Sequence, residues 1–109
     1  MSTFEDQAHV QLRITALVDE PGLSVEGDVD FRSLDEFRGA ISEAIVLHPG
    51  DIVIDLSKLT FIEVSGMRVL ADTARQLADQ NRRLVLRDLA PHLQPVLKVV
   101  GLYDSAEPG

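Results

Sequence analysis

Residues 55–70 read Asp-Leu-Ser-Lys-Leu-Thr-Phe-Ile-Glu-Val-Ser-Gly-Met-Arg-Val-Leu. An apolar strand ends at Asp55, a polar link containing the apolar pair Phe61 and Ile62 follows, and Ser65 stands where an amphipathic helical pattern starts. Backbone N–H groups converge at the start of a helix, so a phosphate on Ser65 would be stabilised there. Serine is also among the best N-cap residues, so the pattern leaves a structural and a functional role open.

The segments on both sides of this stretch predict strands and helices in alternation. The order β-β-α-β-α-β-α indicates an α/β fold with a mixed central sheet of about four strands and helices packed on it. Strands joined through helices run parallel, whereas an opening hairpin is antiparallel. The predicted elements are a hairpin of strands over 10–18 and 23–26, a helix from Ser33 to His48, a strand over 51–56, a helix over 66–80, a strand over 83–87 and a helix over 91–101.

Local signals set the boundaries of these elements. Ser33 followed by Glu36 is a capping-box pattern for the first helix. Residues 27–30 are expected to end the second strand. The second helix carries an arginine stripe that we interpret as exposed and ion-paired, namely Arg68, Arg75 and Arg82 with Asp72 and Asp79.

Length and composition limit the classes of protein that this chain can belong to. Its 109 residues argue for a single domain, with a core over about 10–103 and flexible tails at 1–9 and 104–109. No apolar run approaches the length of a membrane span, and the acidic first six residues lack the pattern of a secretory signal. Cysteine is absent, which excludes disulfides and thiol catalysis and agrees with a cytoplasmic location.

The charge of the chain is strongly negative and unevenly distributed. A formal net charge of −8 disfavours nucleic acid as a direct partner. Of the 18 acidic residues, 13 precede Arg68, against 4 of the 10 basic residues. An acidic surface in this part of the chain would either steer a basic partner or simply keep the protein in solution.

The sequence contains no pattern for an enzyme that acts alone. Glu63 and Met67 occupy the two glycine positions of a nucleophile elbow around Ser65. None of the three histidines has the spacing of a general base or a metal ligand, and no glycine-rich phosphate loop is present. We therefore expect no catalytic residue, no metal and no cofactor.

A phosphate acceptor is the alternative use of a serine at the start of a helix. Gly66 leaves room beside the hydroxyl for the active site of another protein. The phosphate would be stabilised by the helix N-terminus and repelled by Glu63, Asp30 and Asp55. A partner that buries Ser65 would have to desolvate a dianion at a cost of several kcal/mol. Modification is therefore expected to leave the fold intact and to break a complex.

Residues 55–70 also resemble the signature of the STAS domain family, and within it the anti-sigma factor antagonists. The family's Asp-Ser-Ser-Gly-Leu core corresponds to Glu-Val-Ser-Gly-Met at residues 63–67, and the residue that the family phosphorylates corresponds to Ser65. Residues 27–30, Gly-Asp-Val-Asp, resemble the family's Gly-Glu-Ile-Asp element. Residues 99–102 resemble its later x-x-Gly-Leu. The resemblance covers about residues 10–103.

The chain departs from the family pattern at three places. Glu63 replaces an aspartate, so its carboxylate lies on a longer arm. Val64 replaces the first hydroxyl residue and leaves Ser65 as the one acceptor in the motif. The final strand and helix of the family are cut short after Tyr103, which affects any partner contact at that edge.

The resemblance implies a partner and a switch. The expected partner is an anti-sigma factor with a histidine-kinase-like ATPase domain, which the unphosphorylated protein sequesters so that a sigma factor is released. Phosphorylation of Ser65 would end binding, and a serine phosphatase would restore it. The alternative is a scaffold of a stressosome, or an accessory subunit of a lipid or anion transport system, without Ser65 phosphorylation. The residues expected to flank the site or to contact the partner are Asp28, Asp30, Asp55, Glu63, Val64, Gly66, Met67 and Arg68.

Overall fold

The computed structural model describes residues 11–95, which form five strands, two α-helices and one 3-10 turn. The alternation predicted from the sequence is confirmed, with one strand more than expected. The elements are β1 (Arg13–Ala16), β2 (Gly22–Val29), α1 (Leu34–Leu47), β3 (Ile52–Asp55), β4 (Leu59–Ile62), α2 (Val64–Ala78), β5 (Leu84–Arg87) and a 3-10 turn (Pro91–Leu93).

The sheet is mixed, as the hairpin predicted. Its order is β1-β2-β3-β5, with β1 antiparallel to β2 and the pairs β2–β3 and β3–β5 parallel. The eight-residue β2 is shared between two neighbours, since residues 22–24 pair with β3 and residues 27–29 pair with β4. The strand β4 therefore extends the sheet only beside the end of β2 that leads into α1.

The core lies between this sheet and the two helices. The strand β3 is central and its first three residues are buried, as its run of β-branched side chains predicted. Helices α1 and α2 present apolar stripes with helical spacing to the same core. The largest fully buried side chains include Phe37 and Ile41 of α1, Ile52 and Ile54 of β3, Met67, Leu70 and Leu77 of α2, and Leu86 of β5.

Four sequence-based expectations about the elements need correction or lie outside the described residues. The strand β4 was missed because two of its four side chains, those of residues 60 and 61, are exposed and give no strand pattern. The strand β2 runs from Gly22 to Val29, whereas the sequence predicted a strand over 23–26 that residues 27–30 end. The helix predicted over 91–101 is described only as far as residue 95, and the predicted tails 1–9 and 104–109 lie outside the described part of the chain.

The capping box predicted at the start of α1 does not form. Ser33 is the residue before the helix, but its side chain caps no helical N–H group. Its hydroxyl instead donates to the carbonyl oxygen of Asp28 at 3.0 Å and accepts from the N–H of Asp30 at 3.1 Å. The serine thus stabilises the turn between β2 and α1 and not the helix itself.

The arginine stripe is paired differently from the expectation. Arg75 pairs with Asp72 as expected, but Arg82 lies beyond the end of α2 and makes no ion pair with Asp79. The guanidinium of Arg82 donates to the carbonyl oxygens of Ile45, His48 and Gly50. It therefore satisfies acceptors left at the C-terminal end of α1, a common use of arginine at this position.

A second ion pair joins the hairpin to the far strand of the sheet. Arg87 of β5 forms a bidentate pair with Glu20 in the β1–β2 turn, at 2.5 and 3.0 Å. The hydrogen bond from this guanidinium lowers the pKa of Glu20 from its usual value.

Neither described helix is long and apolar enough to cross a membrane.

Candidate functional site

The helix α2 begins one residue before Ser65, so this serine is not the N-cap. Glu63 is the capping residue, and its carbonyl oxygen accepts from the N–H groups of Gly66 and Met67. The N–H of Glu63 in turn donates to the carbonyl oxygen of Val29 at 2.9 Å, which fixes the start of α2 to the end of β2. The structural reading of Ser65 as a helix cap is therefore wrong.

The hydroxyl of Ser65 has no hydrogen-bond partner. Its oxygen is buried, and it alone is unpartnered among the buried side-chain polar atoms of residues 11–95. An unsatisfied buried hydroxyl costs about 1–3 kcal/mol, and such groups in native proteins call for an explanation outside the fold. No side chain caps α2 either, so the first turn offers free backbone donors beside this hydroxyl.

Gly66 is required for packing and not for the approach of another protein. The residue is buried, and a Cβ atom built on it would lie 2.7 Å from Cγ1 of Val29 and 2.8 Å from Cγ1 of Ile62. The missing side chain thus lets α2 lie against β2 and β4. The expectation that Gly66 opens space beside the hydroxyl of Ser65 for a partner is wrong.

We expect Gly66→Ala to displace the first turn of α2. Overpacking of this contact should destabilise the protein by about 2 kcal/mol, reduced by the better helix propensity of alanine to a net loss of about 1–2 kcal/mol. Urea unfolding monitored by circular dichroism measures this loss. Gly39→Ala is the matched control, because Gly39 lies in α1 with no atom within 4 Å of an added Cβ and should gain stability instead. Equal effects of the two substitutions would contradict the packing role of Gly66.

Two buried carboxylates lie at the end of β2 next to the start of α2. Asp28 and Asp30 are only 9% and 7% exposed, and they flank Val29, whose carbonyl oxygen is bonded to Glu63. Asp30 accepts from the backbone N–H of Arg32 at 2.9 Å and from its guanidinium at 3.3 Å. The structure thus brings Asp28, Asp30 and Glu63 together at the Ser65 end of the sheet.

Asp55 lies in the middle of the sheet, away from the start of α2, so the expectation that it flanks Ser65 is wrong. In the sheet it pairs with Ser24 on one side and Arg87 on the other. Ser24 precedes Val29 by five residues, which is about 16 Å along an extended strand. The carboxylate of Asp55 accepts from the backbone N–H of Ser57 at 2.9 Å and so holds the link into β4. The link between β3 and α2 contains the strand β4, which the sequence did not indicate.

Exposed apolar side chains surround the start of α2. Phe31 is 77% exposed, Val64 56% and Phe61 47%, and we call these three residues together with Ser65 the Ser65 surface. Exposed aromatic residues of this kind are typical of protein interfaces. Sequence reasoning found Val64 but missed the two phenylalanines. Their signal was present, since Phe31 and Phe61 interrupt polar loop and link segments where no core position is expected.

Of two further residues expected at the site, Met67 is buried and Arg68 is exposed. Met67 is 1% exposed and belongs to the core, so its expected partner contact is wrong. Arg68 is exposed on α2, one turn beyond Val64. Arg32 and Ser33, which hold Asp30 and the turn around it, were not found as site residues from the sequence.

In the part of the chain that the structure describes, neither a metal cluster nor a large cavity lies at the Ser65 surface. Within residues 11–95, no three His, Asp or Glu side chains are placed to hold a metal ion. A groove of about 200 Å³ lies between α1 and α2 and is lined by Ile41, Ile45, Val69 and Thr73, which are not part of the Ser65 surface. This volume is below the range of about 300–1,000 Å³ that is usual for small-molecule sites. The exposed apolar side chains of the Ser65 surface are of the kind found in protein interfaces.

Comparison with known proteins finds anti-sigma factor antagonists among the relatives of this chain. A protein of Bordetella bronchiseptica named "Putative anti-sigma factor antagonist BtrV" is 27% identical over 77 residues, which are 71% of this chain and 66% of that protein. The chain thus spans slightly less than two thirds of this relative. Among solved structures, an anti-sigma factor antagonist from Mycobacterium paratuberculosis superposes with a TM-score of 0.73 and 22% identity, covering 92% of this chain and 86% of that one.

The anti-sigma factor antagonist SpoIIAA shares the same fold. Its unphosphorylated form superposes with a TM-score of 0.70 at 20% identity, covering 91% of this chain and 88% of that chain. Its phosphorylated form, from Bacillus, gives 0.65 at 22% identity and covers 92% and 90%. At these identities the likeness shows the fold. The family model described as "Mlab, STAS domain" matches residues 12–104, so the chain belongs to the STAS domain family.

Proposed function

We propose that this STAS domain is an anti-sigma factor antagonist that is switched by phosphorylation of Ser65. In its unphosphorylated form it binds an anti-sigma factor through the Ser65 surface and so releases a sigma factor for transcription. A kinase domain of that anti-sigma factor phosphorylates Ser65 and ends the binding, and a serine phosphatase restores it. The observation that carries the proposal is the buried, unpartnered hydroxyl of Ser65 in the uncapped first turn of α2.

The relatives support this proposal through their names. The Bordetella protein and the solved neighbours are described as anti-sigma factor antagonists, and SpoIIAA has been solved both with and without its phosphate. Applying the same activity to this chain requires an acceptor at the corresponding place. Ser65 supplies a hydroxyl there, while Val64 leaves no second acceptor in the motif.

The phosphoryl transfer needs little from this chain except position. The hydroxyl oxygen of Ser65 forms a bond to the γ-phosphorus of ATP, and the bond between that phosphorus and the β–γ bridging oxygen breaks, so that ADP leaves. The hydroxyl proton passes to a base of the kinase, which also supplies Mg²⁺. The product phosphate lies at the N-terminus of α2, where the helix dipole stabilises it by about 0.3–1 kcal/mol.

The same phosphate is unfavourable inside an interface. It adds a charge of about −1.5 to −2 to a surface that already holds Glu63, Asp28 and Asp30. A partner seated on Phe31 and Val64 would have to desolvate this charge, at a cost of several kcal/mol. The stabilisation by the helix is smaller than this penalty, so the fold persists and the complex dissociates.

Incubation of the purified protein with candidate anti-sigma kinases and Mg-ATP is expected to place one phosphate on Ser65, which mass spectrometry can locate. Ser65→Ala should remove it and should fold normally, since it deletes a hydroxyl that has no partner. A stable complex with a kinase but no phosphate would contradict the switch. Neither a phosphate nor a complex across the full set of such kinases would favour the scaffold or transport-subunit alternative, in which the domain docks without modification.

A further inference from the structure

We propose that Arg68 is a positioning residue for the phosphate on Ser65, with its guanidinium paired to the phosphate oxygens across one turn of α2. The inference rests on the proposed function, because Arg68 has this role only when Ser65 carries a phosphate. The proposed pairing regulates the same site. Arg68 would act only in the phosphorylated protein.

The positions of the two residues on α2 bring their side chains together. Ser65 and Arg68 are three residues apart within the helix Val64–Ala78, the spacing at which helical side chains are neighbours. Helical side chains also lean towards the N-terminus of their helix, so a long side chain at 68 covers the turn that contains residues 64 and 65. An arginine placed there meets a phosphate on Ser65 without any change of the backbone.

Arg68 is free to make this contact. It is exposed, and within residues 11–95 it takes part in no hydrogen bond or ion pair. Other arginines on the helices are engaged at the same spacing, since Arg75 pairs with Asp72 and Arg38 lies 3.7 Å from Asp35. Asp72 is the carboxylate four residues beyond Arg68, and it is occupied by Arg75.

The other charges around Ser65 make a cation useful there. Asp28 and Asp30 on the end of β2 and Glu63 at the start of α2 are negative and oppose the second ionisation of a phosphate. Arg32, the cation on the neighbouring turn, is already engaged by Asp30 at 3.3 Å. Arg68 is therefore the cation on the serine's own helix that can offset this repulsion. A planar guanidinium also fits two phosphate oxygens at once.

The test measures the second ionisation of the phosphate by ³¹P NMR. Phosphoserine is installed genetically at position 65, so that no kinase is needed, and the phosphate pKa is compared in the wild-type protein, Arg68→Gln and Arg83→Gln. Arg68→Gln is expected to raise this pKa by about 0.3–0.7 unit, the effect of losing one exposed helical ion pair to a dianion. Arg83→Gln removes the same charge from an exposed arginine just before β5, at the opposite end of the sheet from Ser65, and should leave the pKa unchanged.

Two additional measurements test whether the effect comes from the charge at position 68. Arg68→Lys should retain most of the wild-type value, and raising the salt concentration to about 0.5 M should shrink the difference between wild type and Arg68→Gln. Equal phosphate pKa values in Arg68→Gln and Arg83→Gln would overturn the assignment of Arg68. That result would leave the proposed function standing, because the kinase assay on unmodified protein tests the switch separately.

Discussion

Gly22→Ala is expected to prevent folding, or to remove about 4 kcal/mol or more of stability. Gly22 begins β2 with φ +152, and a Cβ atom on it would lie 1.9 Å from the carbonyl oxygen of Val53 and 2.9 Å from its nitrogen. These are backbone atoms of the central strand, so no side-chain rotation can relieve the contact. The start of β2 would have to move away from β3, and the Val53 N–H bond to Pro21 would be lost. Substitutions of this size of effect are exceptional and have a steric origin.

Urea unfolding and calorimetry measure the effect, with Gly50→Ala as the control. Gly50 stands in the loop that leads into β3, has no atom within 4 Å of an added Cβ, and should tolerate alanine with a change within about 0.5 kcal/mol. If Gly22→Ala unfolded at the same urea concentration as the wild type, the close pairing of β2 and β3 at Gly22 would be wrong.

Phosphorylation of Ser65 is expected to weaken binding of the anti-sigma factor by about 10²–10³-fold. One arginine offsets only part of the phosphate charge, so burial of the remainder in an interface still carries a penalty of about 3–5 kcal/mol. Each 1.4 kcal/mol corresponds to a factor of about ten in affinity. Thermal stability of the isolated domain should change little, because a side chain rotated outwards places the phosphate in solvent, where the N-terminus of α2 stabilises it. Isothermal titration calorimetry with the kinase-inactive anti-sigma factor measures the affinity of both forms.

Ser65→Asp mimics part of this charge and Ser42→Asp is its matched control. Ser42 is an exposed serine on α1, outside the Ser65 surface, so the same added charge there should leave affinity unchanged. A loss of several kcal/mol in the stability of Ser65→Asp would point to a serine that the fold itself requires. Unchanged affinity of the phosphorylated protein would show that the partner does not cover Ser65.

The sequence predicted the elements whose apolar patterns are regular. The β-branched run of β3 and the stripes of α1 and α2 indicated both the α/β class and the mixed sheet, because burial on a sheet or helix imposes a period that single residues reveal. Ser65 was found for a similar reason, since strand end, link and helix start occur in a fixed order. The hairpin followed from the turn at residues 19–22 and is confirmed by the pairing of Ala16 with Leu23.

What the sequence could not provide depends on contacts between distant segments. The strand β4 has four residues, of which only Leu59 and Ile62 are buried, so its pairing with β2 decides its structure. No pattern in the sequence indicated that pairing or the separation between Asp55 and the end of β2. Arg82 has the same spacing as Arg75, yet it reaches carbonyl groups more than 30 residues earlier in the chain. Local spacing contains no information about such partners.

Glu63 shows how a single backbone contact changes the interpretation of a motif. Its N–H donates to the carbonyl oxygen of Val29, and this bond starts α2 at Val64, two residues earlier than a cap at Ser65 requires. The sequence favours serine over glutamate as a cap because of side-chain hydrogen bonds. Here no side-chain bond caps the helix, so the start of α2 is determined by its attachment to the sheet.

The buried oxygen of Ser65 sets a limit on how fast a kinase can use it. In the conformation described, this oxygen is covered, so ATP can be attacked only from the fraction of molecules in which the side chain has rotated outwards. The apparent affinity of the kinase for its substrate is then reduced by that fraction. The unpartnered hydroxyl loses no hydrogen bond on leaving its place, so this rotation carries no hydrogen-bond penalty. A substitution that supplies a hydrogen-bond partner to the buried Ser65 hydroxyl would stabilise the inward rotamer. It would thereby slow phosphorylation without any change in the kinase.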